Sequence, residues 1–134
     1  MMNTQLTVII PVFNEINSIE QLLIKVLNNK IDKQVIVVDD HSFDGTRELL
    51  INKFKNKVDK IIFHKKNLGK GAAIKSAQKY IIGKYTIIQD ADLEYDPSDY
   101  LSLINEAEKN EFKVVYGSRV LNKNMHTNIK NFSH

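Results

Sequence analysis

Cysteine is absent from the 134 residues, which excludes a disulfide framework and any thiolate metal site and points to a reducing compartment, with the cytoplasm as default. Long apolar runs are missing as well. The longest, Leu6 to Ile10 and Val35 to Val38, are far below the ~20 residues that a membrane-spanning helix needs. Met1 to Gln5 carries no basic region and no cleavage-type small-residue site follows, so nothing there reads as an export signal. There is no internal repeat and no low-complexity tract. The histidines, His41, His64, His126 and His134, have no metal-ligand spacing, and no serine–histidine–acid order stands out.

What is present suits one domain with its own core: 134 residues, 43% of them hydrophobic. The net charge of +3 hides a segregation. Residues 53–84 hold ten lysines against the single acid Asp59, whereas residues 85–111 hold eight acids against Lys109. A lysine-rich stretch without aromatic interleaving is first a solvated face, and second a surface that attracts phosphates of a nucleotide or of an anionic membrane. Nucleic acid is the least expected partner on the same pattern, and none is assigned.

Strand-like and helical periodicities alternate along the chain. Leu6 to Ile10 reads as a strand, followed by Ile16, Ile19, Leu22, Leu23, Val26 and Leu27 at helical spacing. Val35 to Val38 is a second strand, and after the loop from Asp40 to Gly45 a helix begins near Thr46 with Leu49 and Leu50 turned inward. Ile61 to Phe63 is a third. The next helix has Ala73, Ala77, Tyr80 and Ile81 on a narrow face and Gly83 as its stop. Tyr85 to Gln89 is a fourth strand, Pro97 and Ser98 open a helix with Tyr100, Leu103, Ile104 and Ala107 on one face, and Val114 to Tyr116 is a fifth strand. Beyond Leu121 the pattern fails, so the expectation is a domain over 1–121 and a polar tail or truncated stub over 122–134.

This alternation predicts an α/β fold, a Rossmann-like, mostly parallel sheet with helices on both faces. Such sheets bind ligands outside the carboxyl ends of their strands, at a switch point in strand order. Unusual polar residues collect at those ends: Pro11 to Glu15, Asp39 with Asp40, Asp90 to Glu94, and Gly117 to Arg119. Asp39 and Asp40 can also simply cap a turn. Asp90-Ala91-Asp92 is weak by composition, since nine aspartates in 134 positions yield about 0.6 such patterns by chance. Its position directly after a buried strand gives it weight, because Asp90, Asp92 and Glu94 there can converge as hard oxygen ligands on Mg²⁺ or Mn²⁺. Arg119, one of two arginines, follows Gly117 and Ser118 and can fork a phosphate. The loop Asn67-Leu68-Gly69-Lys70-Gly71 is able either to present N–H groups to a phosphate or to serve helix-start packing.

With those residues assembled, the sequence resembles the family 2 glycosyltransferases of GT-A fold, above all the dolichyl- or polyprenyl-phosphate hexosyltransferase branch. The stretches that carry the resemblance are VIIPVFNE, IVVDDHSFDGT, NLGKGAAI, YTIIQDADLEYDP and VVYGSR, running in order from Val8 to Arg119. The resemblance implies that Pro11, Phe13 and Glu15 line the base and ribose of a nucleotide-sugar donor, a UDP- or GDP-sugar, and that Val38 and Asp40 contact the base. It implies that Asp90, Ala91 and Asp92 hold the diphosphate and metal with Glu94 as a further ligand, and that Arg119 reaches the donor phosphates. His41 stands where the family commonly has glycine and Phe43 where proline is frequent. Family members continue well past residue 134, so a truncated catalytic domain is expected. A sugar hydroxyl acceptor requires a general base, and no residue here is assigned that role. A polyprenyl phosphate, already an anion, requires none, and this acceptor would bring the protein to the inner face of the membrane. Two other readings remain beside it: a non-catalytic nucleotide-binding remnant or partner subunit, and a phosphoacceptor receiver domain, against which the acidic pair follows the second strand rather than the first.

Overall fold

The computed structural model describes residues 4–93, 96–110, 114–116 and 119–121, the backbone alone at 110, 114–116 and 119–121. Strands β1 (Leu6–Val12), β2 (Lys33–Asp39), β3 (Lys60–Phe63), β4 (Tyr85–Ile88), β5 (Val114–Tyr116) and β6 (Arg119–Leu121) form one sheet in the order β3-β2-β1-β4-β5-β6. All neighbours are parallel except β5 and β6. The order therefore reverses between β1 and β4, the switch point that the Rossmann-like reading requires.

Successive side chains in a strand point to opposite faces, so a strand covered on both sides must be apolar throughout. β1 follows this except at Thr7, whose buried hydroxyl is hydrogen-bonded: Leu6, Val8, Ile10 and Val12 enter one core cluster, while Ile9 joins the other. β2 divides in the same way, Val35 and Val37 to the first cluster, Ile36 and Val38 to the second. Helix α1 (Ile19–Asn28) covers the first face with Ile19, Leu22, Leu23 and Val26, a one-face helical spacing. Each such burial contributes about 1.5–3 kcal/mol. Helix α2 (Thr46–Leu49) runs into a π-helical turn, Leu50–Phe54, that buries Leu50 and Phe54 on the same side. Helix α4 (Tyr100–Asn110), led in by a 3₁₀ turn at Pro97–Asp99, adds Tyr100, Leu103, Ile104 and Ala107. Among the described residues, helix α3 (Lys70–Gln78) covers the second face, and its Ala73, Ile74 and Ala77 form the expected narrow contact.

Several boundaries differ from the sequence reading. β1 runs on through Pro11 and Val12, so Pro11 lies in a strand rather than opening a loop. Ile16 precedes α1 instead of belonging to it, because its N–H donates to the Asp44 carboxylate at 3.1 Å. Gly83 does not stop α3, which ends at Gln78. Glycine is required there by close approach: a Cβ would meet the Thr7 backbone nitrogen at 2.4 Å. Arg119 was expected in a loop and instead opens β6, paired antiparallel with Tyr116. Residues 122–134 lie outside the described residues.

Candidate functional site at the switch point

Two loops at the carboxyl edge are laced together before any ligand is considered. The Asn14 N–H donates to Ser42 Oγ at 2.8 Å, and the Phe43 N–H donates to Asn14 Oδ1 at 2.9 Å. The Glu15 N–H reaches Thr46 Oγ1 at 3.1 Å, and Thr46 in turn donates its N–H and hydroxyl to Asp44. Burial alone would raise the Asp44 pKa, but the Thr46 hydroxyl and backbone, with the Ile16 N–H, outweigh it and hold the carboxyl below its usual range. Chain direction around this edge is won at some backbone cost. Asn14, His41 and Leu93 have φ of 52°, 70° and 68°, a left-handed region that disfavours side chains other than asparagine or aspartate. That geometry explains why glycine would suit position 41.

A cavity of about 250 Å³ opens at this edge, lined by Pro11, Phe13, Glu15, Asp40, Lys70, Asp90, Ala91 and Asp92 among others. It lies between the ends of β1 and β4, at the switch point. Its two ends differ in chemistry. At one, Phe13 is partly exposed and stacks on Phe43 with ring centroids 5.9 Å apart. At the other, the ammonium of Lys70 sits on Asp90 Oδ1. That pair is partly exposed on both sides, so it contributes little to stability. Ser18 braces the acidic end, donating to the Ala91 carbonyl at 2.6 Å.

Asp40 is the most heavily wired of these residues. Its carboxylate is buried and accepts from His64 Nδ1, the Leu68 N–H and the Gly69 N–H, each at 2.8 Å. The loop before α3 therefore gives those two N–H groups to Asp40. Asp39 is fully buried; the Ser42 N–H bonds one carboxylate oxygen, while Oδ1 has no hydrogen-bond partner. Val38 reaches the same edge, but its side chain is in the core and does not line the cavity. Glu94 and the Arg119 side chain lie outside the described residues. Lys70, His64 and Ser18 were not assigned from sequence. The signal for Lys70 was its place between Gly69 and Gly71 at a helix start; His64 had no signal beyond following a strand.

A divalent cation fits the acidic end. Asp90 and Asp92 supply hard oxygens on one cavity wall, and Asp90 already neutralises a cationic group, the Lys70 ammonium. Among the described residues no three acids or histidines gather to hold an ion unaided. Mg²⁺ characteristically takes one or two carboxylates and completes its shell with substrate phosphates and water.

The fold is that of the GT-A glycosyltransferases. S. aureus TarS in complex with UDP-GlcNAc matches it with a TM-score of 0.68 at 23% identity, over 81% of this chain and 32% of that one. A mannosyltransferase from Pyrobaculum calidifontis, in complex with GDP-Man and Mn²⁺, matches with a TM-score of 0.65 at 26% identity, over 75% of this chain and 31% of that one. The chain itself belongs to glycosyl transferase family 2, whose family model matches residues 7–134. Similar curated proteins include a dolichyl-phosphate beta-glucosyltransferase of Dictyostelium discoideum, 33% identical over 87% of this chain, and a dolichol-phosphate mannosyltransferase of Pyrococcus furiosus, 32% identical over 86%. This chain spans only 40% and 33% of their respective lengths.

Proposed function

We propose that the chain is the donor-binding part of an inverting glycosyltransferase that moves a hexose from a UDP- or GDP-sugar to a polyprenyl or dolichyl phosphate. The observation that carries this is the convergence of an aromatic end and an acidic end on one cavity at the switch point. A nucleoside diphosphate has the matching halves, a flat base with N–H donors and a charged diphosphate. Phe13 offers a ring face to the base, and Asp40 an acceptor to its N–H groups. Asp90 and Asp92 with Glu94 are the residues for Mg²⁺ or Mn²⁺, which when bound would stabilise charge developing on the leaving diphosphate. Lys70 and Arg119 are the cationic side chains available to the same phosphates. The acceptor class is supported by the two dolichyl- and dolichol-phosphate relatives, and it would bring the reaction to a membrane surface, where exposed lysines such as Lys55, Lys65 and Lys66 favour anionic headgroups. No helix among the described residues is long and apolar enough to cross a membrane.

Calorimetric titration of UDP and GDP with Mn²⁺ and with EDTA tests the reading. Wild type should bind one of them markedly better with the ion. Asp92→Ala should abolish that gain while its unfolding free energy stays within about 0.5 kcal/mol, since Asp92 is exposed. Equal affinities with and without the ion, in both proteins, would remove the metal from the reading.

A further inference from the structure

The wiring of Asp40 limits what it can offer a ligand. An ionised carboxylate has about four acceptor positions. Oδ1 uses two, for His64 Nδ1 and the Leu68 N–H, and Oδ2 uses one, for the Gly69 N–H. One acceptor position therefore remains, on Oδ2, in a residue that lines the cavity. Two of the three donors are backbone groups that any sequence would supply. The third is a side chain, and it is itself held: His64 is buried, and its Nε2 lies 2.8 Å from the hydroxyl of Ser76 on α3. Because the carboxylate can only accept, Nδ1 carries the proton, and Nε2 pairs with the Ser76 hydroxyl. The array Ser76, His64, Asp40 thus has a fixed partner at each step.

We infer that His64 is a specificity-determining positioning residue: by occupying Oδ1 it leaves Asp40 a single acceptor, which suits the one imide N–H of uracil and not the adjacent N1–H and amino donors of guanine. The inference rests on the proposed nucleotide site and goes further in naming the nucleotide as uridine diphosphate. Guanine meets a carboxylate through both oxygens, one donor to each. Here its second donor would face an oxygen already filled, and a buried donor left unpaired is disfavoured.

Two substitutions separate positioning from mere structural support. His64→Asn keeps an amide N–H near the place of Nδ1, facing Asp40, and gives up Ser76. His64→Gln puts its amide near the place of Nε2, facing Ser76, and vacates Oδ1. Both shorten a ring to an amide, so a purely structural role predicts similar loss of thermal stability and no change in the ratio of UDP to GDP affinity. Calorimetry with UDP and GDP in Mn²⁺ should give wild type a preference for UDP of about tenfold or more. Asn should stay within about threefold of that ratio, and Gln should fall to near parity because GDP gains the vacated oxygen. A wild-type preference for GDP, parity in wild type, or the same ratio in both variants overturns the assignment. The wild-type ratio decides alone should either variant fail to fold. Absence of binding by both nucleotides would instead remove the nucleotide site itself, and this inference with it.

Discussion

At the amino edge of the sheet, Thr7 and Gln34 gather loose backbone groups much as Asp40 does at the carboxyl edge. The Thr7 hydroxyl donates to Gln34 Oε1 at 2.7 Å and accepts the Gly83 N–H at 2.8 Å. Gln34 accepts the Ile82 N–H and donates to the Tyr80 carbonyl. Both side chains are neutral, buried and shielded by the segment they fasten, and Gly83 is pressed onto Thr7 with no room for a methyl group. The Asp40 network also ties a loop to a strand end, yet it is charged, its neighbours have left-handed backbones, and it faces a cavity. One edge spends its polar groups on closure. The other retains an acceptor and accepts backbone strain to do so, the pattern expected where a ligand is to be held.

That contrast can be broken from either side. The largest effect is expected from Gly83→Ala, where the new methyl would strike backbone atoms of Leu6 and Thr7; urea unfolding should register a loss of about 3 kcal/mol, while nucleotide affinity of the folded protein stays unchanged. A loss below about 0.5 kcal/mol would mean that the amino edge can give way. Asp40→Asn replaces an acceptor of three donors with a group that must present its own N–H to one of them. It should remove about 1.5–3 kcal/mol and also blunt discrimination among UDP, GDP and CDP. Wild-type ranking and strength in that variant would make Asp40 structural only. His41→Gly should move the other way, gaining about 1 kcal/mol by relieving a left-handed backbone at an exposed residue, read as a raised denaturant midpoint with unchanged slope.

The smallest effect concerns pH. The folded Asp44 carboxyl lies below its unfolded value of about 3.9, so its contribution is present above that pH and fades as pH falls through the folded value. Wild type and Asp44→Asn should therefore differ at pH 6 and converge as pH falls through the folded Asp44 value in an acid unfolding series. The difference will be modest because the group is exposed and screened. A constant gap across the series would show that the Asp44 hydrogen bonds do not depend on its charge.

The sheet was legible because both faces are covered: continuous runs such as residues 6–10 and 35–38 can be little else in a short chain. The strand order was legible only as a class, and the carboxyl-edge residues followed from it. Pro11, Phe13, Glu15, Asp40, Asp90, Ala91 and Asp92 do meet on one cavity. Other features depended on contacts that local pattern does not encode. Ile16 has helical spacing, but its N–H is claimed by an aspartate 28 residues away. Gly83 looks like a helix stop until the Thr7 backbone is seen against it. β6 is three residues long and has no periodicity of its own. His64 lacked ligand spacing to any other histidine because its partner is a carboxylate 24 residues earlier.

The Lys70 bond to Asp90 gives the cavity a counter-ion of its own. On the proposed reading, a metal held by Asp90 would compete with this ammonium for the same oxygen, so donor binding would be an exchange of partners: Lys70 would give up Asp90 and could turn to the donor diphosphate. One internal ion pair would be dissolved as others form. Affinity should then depend on ionic strength less steeply than the number of charges at the site would suggest, and metal alone, with no phosphate to receive the displaced lysine, should bind far more weakly than metal with nucleotide.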